Sequence, residues 1–159
     1  ADTDGEAPLL VMLDGIQDPH NLGAIARTAD AAGAHGLIIP ERRAVGITPG
    51  AVRASAGALE HVKVSRVNNL NRTIEKLKEL GMMVIGLDAD GDVEYTEADF
   101  RGPVLIVVGS EGKGLSRLVR ENCDQIASIP MVGELSSLNA SVSAGIVLYE
   151  AFRQRAGKA

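Results

Sequence analysis

Val104-Leu105-Ile106-Val107-Val108, followed at once by Gly109-Ser110-Glu111-Gly112-Lys113-Gly114, is the stretch that decides the fold. Its apolar residues run without alternation, so they describe a strand buried on both faces, the habit of parallel strands covered by helices on each side. A glycine-rich polar turn directly after such a strand stands where open α/β sheets bind ligands, beyond the carboxyl ends of the strands.

Working outward, Met82-Met83-Val84-Ile85-Gly86-Leu87 is a second apolar run, and the helical stretch before it opens at Asn68 or Asn69 and runs to Leu80. Leu9 to Leu13 reads as the first strand, followed by an Ala-rich helix from about Asn21 to Ala32 that Gly33 terminates. Short strands follow at Leu37 to Ile39 and Val62 to Val64, with a helix between them signalled by Thr48-Pro49 as cap and first position. After the glycine-rich turn come a helix from Leu115 to Asn122, a strand from Gln125 to Ile129 and a long final helix from Ala140 to Arg155. This alternation predicts an α/β domain with a mainly parallel sheet flanked by helices.

A chain of 159 residues, 45% apolar and 23% charged, has the size and balance of one globular domain. It contains no apolar run long enough to cross a membrane. The lone Cys123 cannot staple the chain and reads as a packing residue, which fits a reducing, cytoplasmic compartment. The acidic opening Ala1-Asp2-Thr3-Asp4-Gly5-Glu6 lacks a signal-peptide pattern and reads as a linker remnant covering residues 1–7, ahead of a domain over 8–159.

Charge is uneven. Residues 20–72 carry seven Lys or Arg against three Asp or Glu, and residues 75–100 carry eight acidic residues against two lysines. The net charge of −5 therefore leaves room for an RNA partner on a basic half, with Arg27, Arg42, Arg43, Arg53, Lys63 and Arg66 as candidate phosphate contacts.

The common phosphate-binding fingerprints fail. Gly109 and Gly114 have the spacing of a Walker A loop, but Leu115 and Ser116 stand where Lys and Ser or Thr must follow. Gly112-Lys113-Gly114-Leu115-Ser116-Arg117 lacks the third glycine of a dinucleotide fingerprint. The histidines His20, His35 and His61 are scattered and no Cys/His cluster has ligand spacing, so metal catalysis is not expected.

Three polar clusters remain: Asn21-Leu22-Gly23-Ala24-Ile25-Ala26-Arg27, Val108-Gly109-Ser110-Glu111-Gly112, and Ile129-Pro130-Met131 with Ser137-Leu138-Asn139-Ala140-Ser141-Val142. In order and spacing they resemble the three motifs of the SpoU branch of the SPOUT methyltransferases, over a match from about Leu9 to Arg155. Ala56-Gly57-Ala58-Leu59-Glu60-His61-Val62 and Val67-Asn68-Asn69-Leu70 look most like the RlmB type, which methylates a guanosine 2′-oxygen in large-subunit ribosomal RNA. The resemblance implies S-adenosylmethionine as cofactor, a deep C-terminal trefoil knot and a homodimer. A tRNA 2′-O-methyltransferase would carry the same motifs, and a noncatalytic RNA-binding or ribosome-assembly module that keeps the fold is the alternative of a different class. Relatives of this type often hold an N-terminal RNA-binding domain, which this chain is expected to lack.

Transfer of a methyl group to a ribose hydroxyl needs an in-line geometry and stabilisation of a developing alkoxide. The motif position implies that Arg27 is catalytic. Six residues separate it from Asn21, roughly 9 Å along a helix, and helical side chains lean toward the N-terminus. A guanidinium there can grip a phosphate bidentately, and because it stays protonated it suits anchoring better than proton removal. Asn21 is expected to cap the helix, and the resemblance implies that it also orients Arg27 or the ribose. His20, after a proline, reads as an exposed bystander.

Glu111, between glycines, can reach into the site, where the resemblance implies a role beside cofactor or guanosine, and the bare backbone of Gly109 can approach the donor. Leu87, Ile129, Met131 and Leu138 offer an apolar slot for adenine, while Ser137 and Asn139 offer polar contacts to ribose or substrate. Ala140, Ser141, Ser143, Ala144 and Gly145 give the final helix a slim start suited to close packing. Val142, Ile146, Tyr149 and Phe152 recur at helical spacing as core or dimer-interface residues.

Overall fold

The computed structural model describes residues 6–41, 62–133 and 138–157. Its elements are β1 (Leu9–Asp14), α1 (Pro19–Ala31), β2 (Gly36–Pro40), β3 (Val64–Val67), α2 (Leu70–Glu79), β4 (Met83–Leu87), β5 (Val93–Glu94), β6 (Val104–Gly109), α3 (Arg117–Asn122), β7 (Gln125–Ser128) and α4 (Ala140–Ala156). The seven strands form one sheet in the order β3-β2-β1-β6-β4-β7-β5, and every strand pairing is parallel.

The unbroken apolar run of β6 explains its place near the sheet's centre, hydrogen-bonded to β1 on one side and β4 on the other. Its side chains alternate between two cores. Val104, Ile106 and Val108 join Leu22, Ile25, Ala144 and Leu148 beneath α1 and α4, whereas Leu105 and Val107 join Ile74 and Val119 beneath α2 and α3. Because both faces are covered, neither can be polar, and the period of two that marks a half-exposed strand is absent.

Several local expectations are corrected. The α1 cap is Asp18 rather than Asn21: the Asp18 carboxylate accepts from the His20 N–H at 2.8 Å, and Pro19 takes the first helical position, where its missing N–H costs nothing. Asn21 thereby falls inside the first turn. β3 runs Val64–Val67 rather than from Val62, because Leu37 pairs with Val64 and Pro40 with Val67. α3 begins at Arg117 rather than Leu115, since Leu115 is needed in the core and Ser116 is drawn to Asp14. β5 was invisible to periodicity, being two residues long, and forms only by pairing with β7. The helix expected after Thr48-Pro49 lies outside the described residues. So do residues 134–137 on the path from β7 into α4, on which the implied knot depends.

The far end of α4 is tied to the rest of the chain by polar side chains. Gln154 accepts from the Phe100 N–H and donates to the Ala98 carbonyl, while Arg155 donates to the carbonyls of Phe100 and Ala7. Glu150 is buried, and the Arg153 guanidinium holds its carboxyl below the usual range. Replacing Arg155 by Ala leaves partly buried carbonyls without their charged donor and should cost about 1–3 kcal/mol, read as a lower denaturation midpoint in urea at unchanged slope.

Candidate active site at the carboxyl edge of the sheet

Strand register builds the site. Asp14 of β1 stands beside Gly109 of β6, Val108 beside Leu87 of β4, and Leu87 beside Ala127 of β7. The chain therefore leaves four neighbouring strands at one edge, and the segments that follow three of them, β4, β6 and β7, enclose with the start of α4 a cleft of about 420 Å³. Leu87, Val108, Ala127, Ile129, Met131 and Leu138 supply apolar wall, while Asp88, Asp90, Glu111, Lys113 and Ser143 bring polar groups. The volume and the mixture suit a small organic ligand with an apolar ring and a polar tail.

The turn after β6 is closed on itself. Ser110 and Gly114 exchange two backbone hydrogen bonds, at 3.2 and 2.7 Å, and Gly114 adopts a φ of +69° that favours glycine. Gly109 has a second role beyond exposing its backbone. A Cβ there would collide with the Gly114 carbonyl and lie 2.6 Å from the Leu115 nitrogen, so the turn packs on the bare glycine. From the β1 side, Asp14 accepts from both the N–H and the hydroxyl of Ser116, at 2.8 and 2.9 Å. From the β4 side, Asp88 pairs with Arg120 at 2.8 Å.

Leu87, Gly109, Ile129, Met131, Leu138 and Glu111 all line the cleft. Glu111 is exposed at the tip of the turn, well before the helix that begins at Arg117. Asn139 is not a lining residue, although Leu138 and Ala140 on either side of it are; it caps α4, its side-chain oxygen accepting from the N–H groups of Ser141 and Val142. At the slim start of α4, Ala140 and Ser143 face the cleft, and a Cβ at Gly145 would lie 3.7 Å from Thr28 of α1, an ordinary van der Waals contact. Asn21 and Arg27 are not among the cleft's lining residues; Asn21 is half-buried and Arg27 exposed on α1. Ser137 lies outside the described residues, as do Arg42, Arg43 and Arg53. Lys63 and Arg66 sit at β3, three strands from β6 and so about 14 Å away at roughly 4.8 Å per strand.

Sequence reasoning missed Asp88, Asp90 and Arg120. Asp88 was within reach, as the residue directly after an apolar strand; Arg120 was not, because its partners lie about thirty positions upstream. Cys123 is the packing residue expected. Its thiol donates to the Val119 carbonyl, and burial, helped by Asp124, pushes its pKa up to about 12.

The SpoU rRNA methylase family model matches residues 8–149. The chain belongs to that family. As a SpoU chain it is 58% identical over 155 residues to an uncharacterized tRNA/rRNA methyltransferase of Mycobacterium sp. strain KMS, across 98% of this chain and 49% of that protein. It thus spans about half the length of the curated relative it matches. The SpoU methyltransferase AviRb of Streptomyces viridochromogenes, solved in complex with AdoMet, superposes with a TM-score of 0.87 at 40% identity, over 95% of this chain and 62% of that one. A solved RNA 2′-O ribose methyltransferase superposes at 0.86 with 32% identity, over 98% and 60%.

Two outcomes follow from this geometry. Gly109→Ala should displace the turn and destabilise the protein by about 1–3 kcal/mol, with faster amide exchange confined first to residues 110–115. Cys123 should react with a disulfide reagent at pH 8 far more slowly in the folded protein than in denaturant, because its thiolate is scarce.

Proposed function

We propose that this chain is the catalytic domain of an S-adenosylmethionine-dependent RNA ribose 2′-O-methyltransferase acting on a guanosine of large-subunit ribosomal RNA. The observation that carries the reading is the cleft. Its wall contains each of the five residues expected to hold the donor, Leu87, Gly109, Ile129, Met131 and Leu138, in a fold shared with an AdoMet-bound relative. Its size and its apolar lining with a few polar groups fit that molecule.

S-adenosylmethionine supplies a methyl group on a sulfonium, a good leaving group that needs no metal. Leu87, Ile129, Met131 and Leu138 bury the apolar ring, and the Gly109 backbone lets the ligand approach the strand end. Glu111, at the mouth, accepts hydrogen bonds from the incoming guanosine or from the donor. Asn139 uses its oxygen in capping α4, and its amide N–H groups, without a partner among the described residues, donate to ribose, with Ser137 two positions earlier in sequence.

Arg27 anchors an RNA phosphate next to the target ribose and stabilises the alkoxide as the proton leaves for a phosphate oxygen. Asn21, one turn into α1, orients it. Because Arg27 lies on α1 outside the cleft wall, the reading requires a second protomer or the RNA itself to bring it to the reacting oxygen. A homodimer through α4 supplies the former: Val142, Tyr149 and Phe152 form an exposed apolar stripe on that helix, and α4 packs against α1. About half of each of those side chains is in contact with water, more than a helix in a monomer's core would leave.

The test is methyl transfer from labelled S-adenosylmethionine to ribosomal RNA and to tRNA, beside calorimetric titration of the donor. Saturable binding and labelling of ribosomal RNA are expected; labelling of tRNA alone would move the substrate, and absence of donor binding by the folded dimer would favour a noncatalytic RNA-binding module. Arg27→Ala should leave donor affinity unchanged and lower the methylation rate by about 100-fold or more, the scale of losing one charge-stabilising donor. Phe152→Glu should shift the chain to monomer in sedimentation and reduce activity with it.

A further inference from the structure

Asp88 lines the cleft, and Arg120, later in sequence on α3, is its ion-pair partner. Asp88 follows β4 directly, its side chain only 18% exposed, and its Oδ2 receives Nη1 of Arg120 at 2.8 Å. The second guanidinium nitrogen, Nη2, donates to the Asp90 carbonyl at 3.0 Å. One planar cation thus holds two points of the segment 88–90, a geometry that Lys cannot reproduce. The Asp88 N–H donates to the Ala127 carbonyl of β7 at 3.1 Å, and the turn after β6 rests on the same carboxylate, since a Cβ at Gly114 would lie 2.9 Å from Asp88 Oδ2.

We infer that the Arg120 fork is a positioning device for the donor cleft, fixing the 88–90 segment against the Gly109–Gly114 turn so that the cleft is formed before its ligand arrives. The inference rests on the reading of this cleft as the S-adenosylmethionine site. The physical reason is preorganisation. Residues 89 and 90 are exposed and follow the end of a strand; without the fork the segment is held on β7 only at its ends, by the Asp88 and Asp92 N–H groups on the Ala127 and Ile126 carbonyls, and any ordering left to the ligand subtracts from affinity. Arg120 itself, on the far side of the Asp88 carboxylate, is not a lining residue. It acts through Asp88 and Asp90 rather than on the ligand.

The experiment is titration of S-adenosylmethionine and S-adenosylhomocysteine into the wild-type chain, Arg120→Met, Asp88→Asn, the double variant and Arg120→Lys, with thermal unfolding of each. Arg120→Met should weaken both ligands by about tenfold or more, and the double variant should be no weaker than the worse single one, as for residues acting as a unit. Arg120→Lys keeps a cation opposite Asp88 and so keeps the fold, but loses the Asp90 bond, and should give an intermediate loss. In methyl transfer the KM for donor should rise while kcat at saturating donor stays within about twofold, the pattern of lost ground-state binding. Wild-type affinity in Arg120→Lys and Arg120→Met, or additive losses in the double variant, would overturn the inference. A wild-type chain that binds neither ligand would instead overturn the donor-site reading itself.

Discussion

Everything at the carboxyl edge depends on the insertion of β6 between β1 and β4. A strand hydrogen-bonded on both sides and buried on both faces has no freedom to slip, because a one-residue shift would exchange the side chains facing α1 and α4 with those facing α2 and α3. That single register sets Asp14 beside Gly109 and Leu87 beside Val108, with Ala127 next to Leu87. The cleft is a consequence of where β4, β6 and β7 end.

The turn after β6 could still be loose, since glycines are numerous there and its tip is exposed. It is held instead by contacts from distinct elements: its own Ser110–Gly114 bridge, Asp14 on Ser116, and the Asp88 carboxylate under Gly114. Asp14 and Asp88 act from the ends of different strands on either side of β6. Rigid strand ends thereby impose their geometry on a polar loop, which is how a loop can carry a binding site without paying for disorder each time a ligand binds.

The cleft and the motif on α1 divide the proposed chemistry between two places. The cleft has an apolar slot and polar groups, and α1 carries an exposed arginine with the small-residue face of α4 packed alongside. Such a division is intelligible if catalysis needs the RNA, or a second copy of the chain, to complete the constellation. It also separates donor affinity from turnover, so that substitutions on the two parts change different kinetic constants.

The sequence by itself determined the class of fold and most of the elements, because the continuous apolar runs, the Asn69 cap and the Gly33 stop are local signals of burial and of helix ends. It also determined the donor-side candidates, since Leu87, Gly109 and Ile129 each stand at or just past the end of such a run. Only the tertiary structure decided that Asp18 rather than Asn21 caps α1, because that rests on which oxygen the first turn meets. Only it decided that Gly109 is required by Gly114 and Leu115, that Asn139 is engaged in capping, and that Arg120 reaches Asp88 and Asp90. Periodicity reports how buried a residue is, but not its partner; partners across thirty positions are chosen by strand order and register, which no short window of sequence contains.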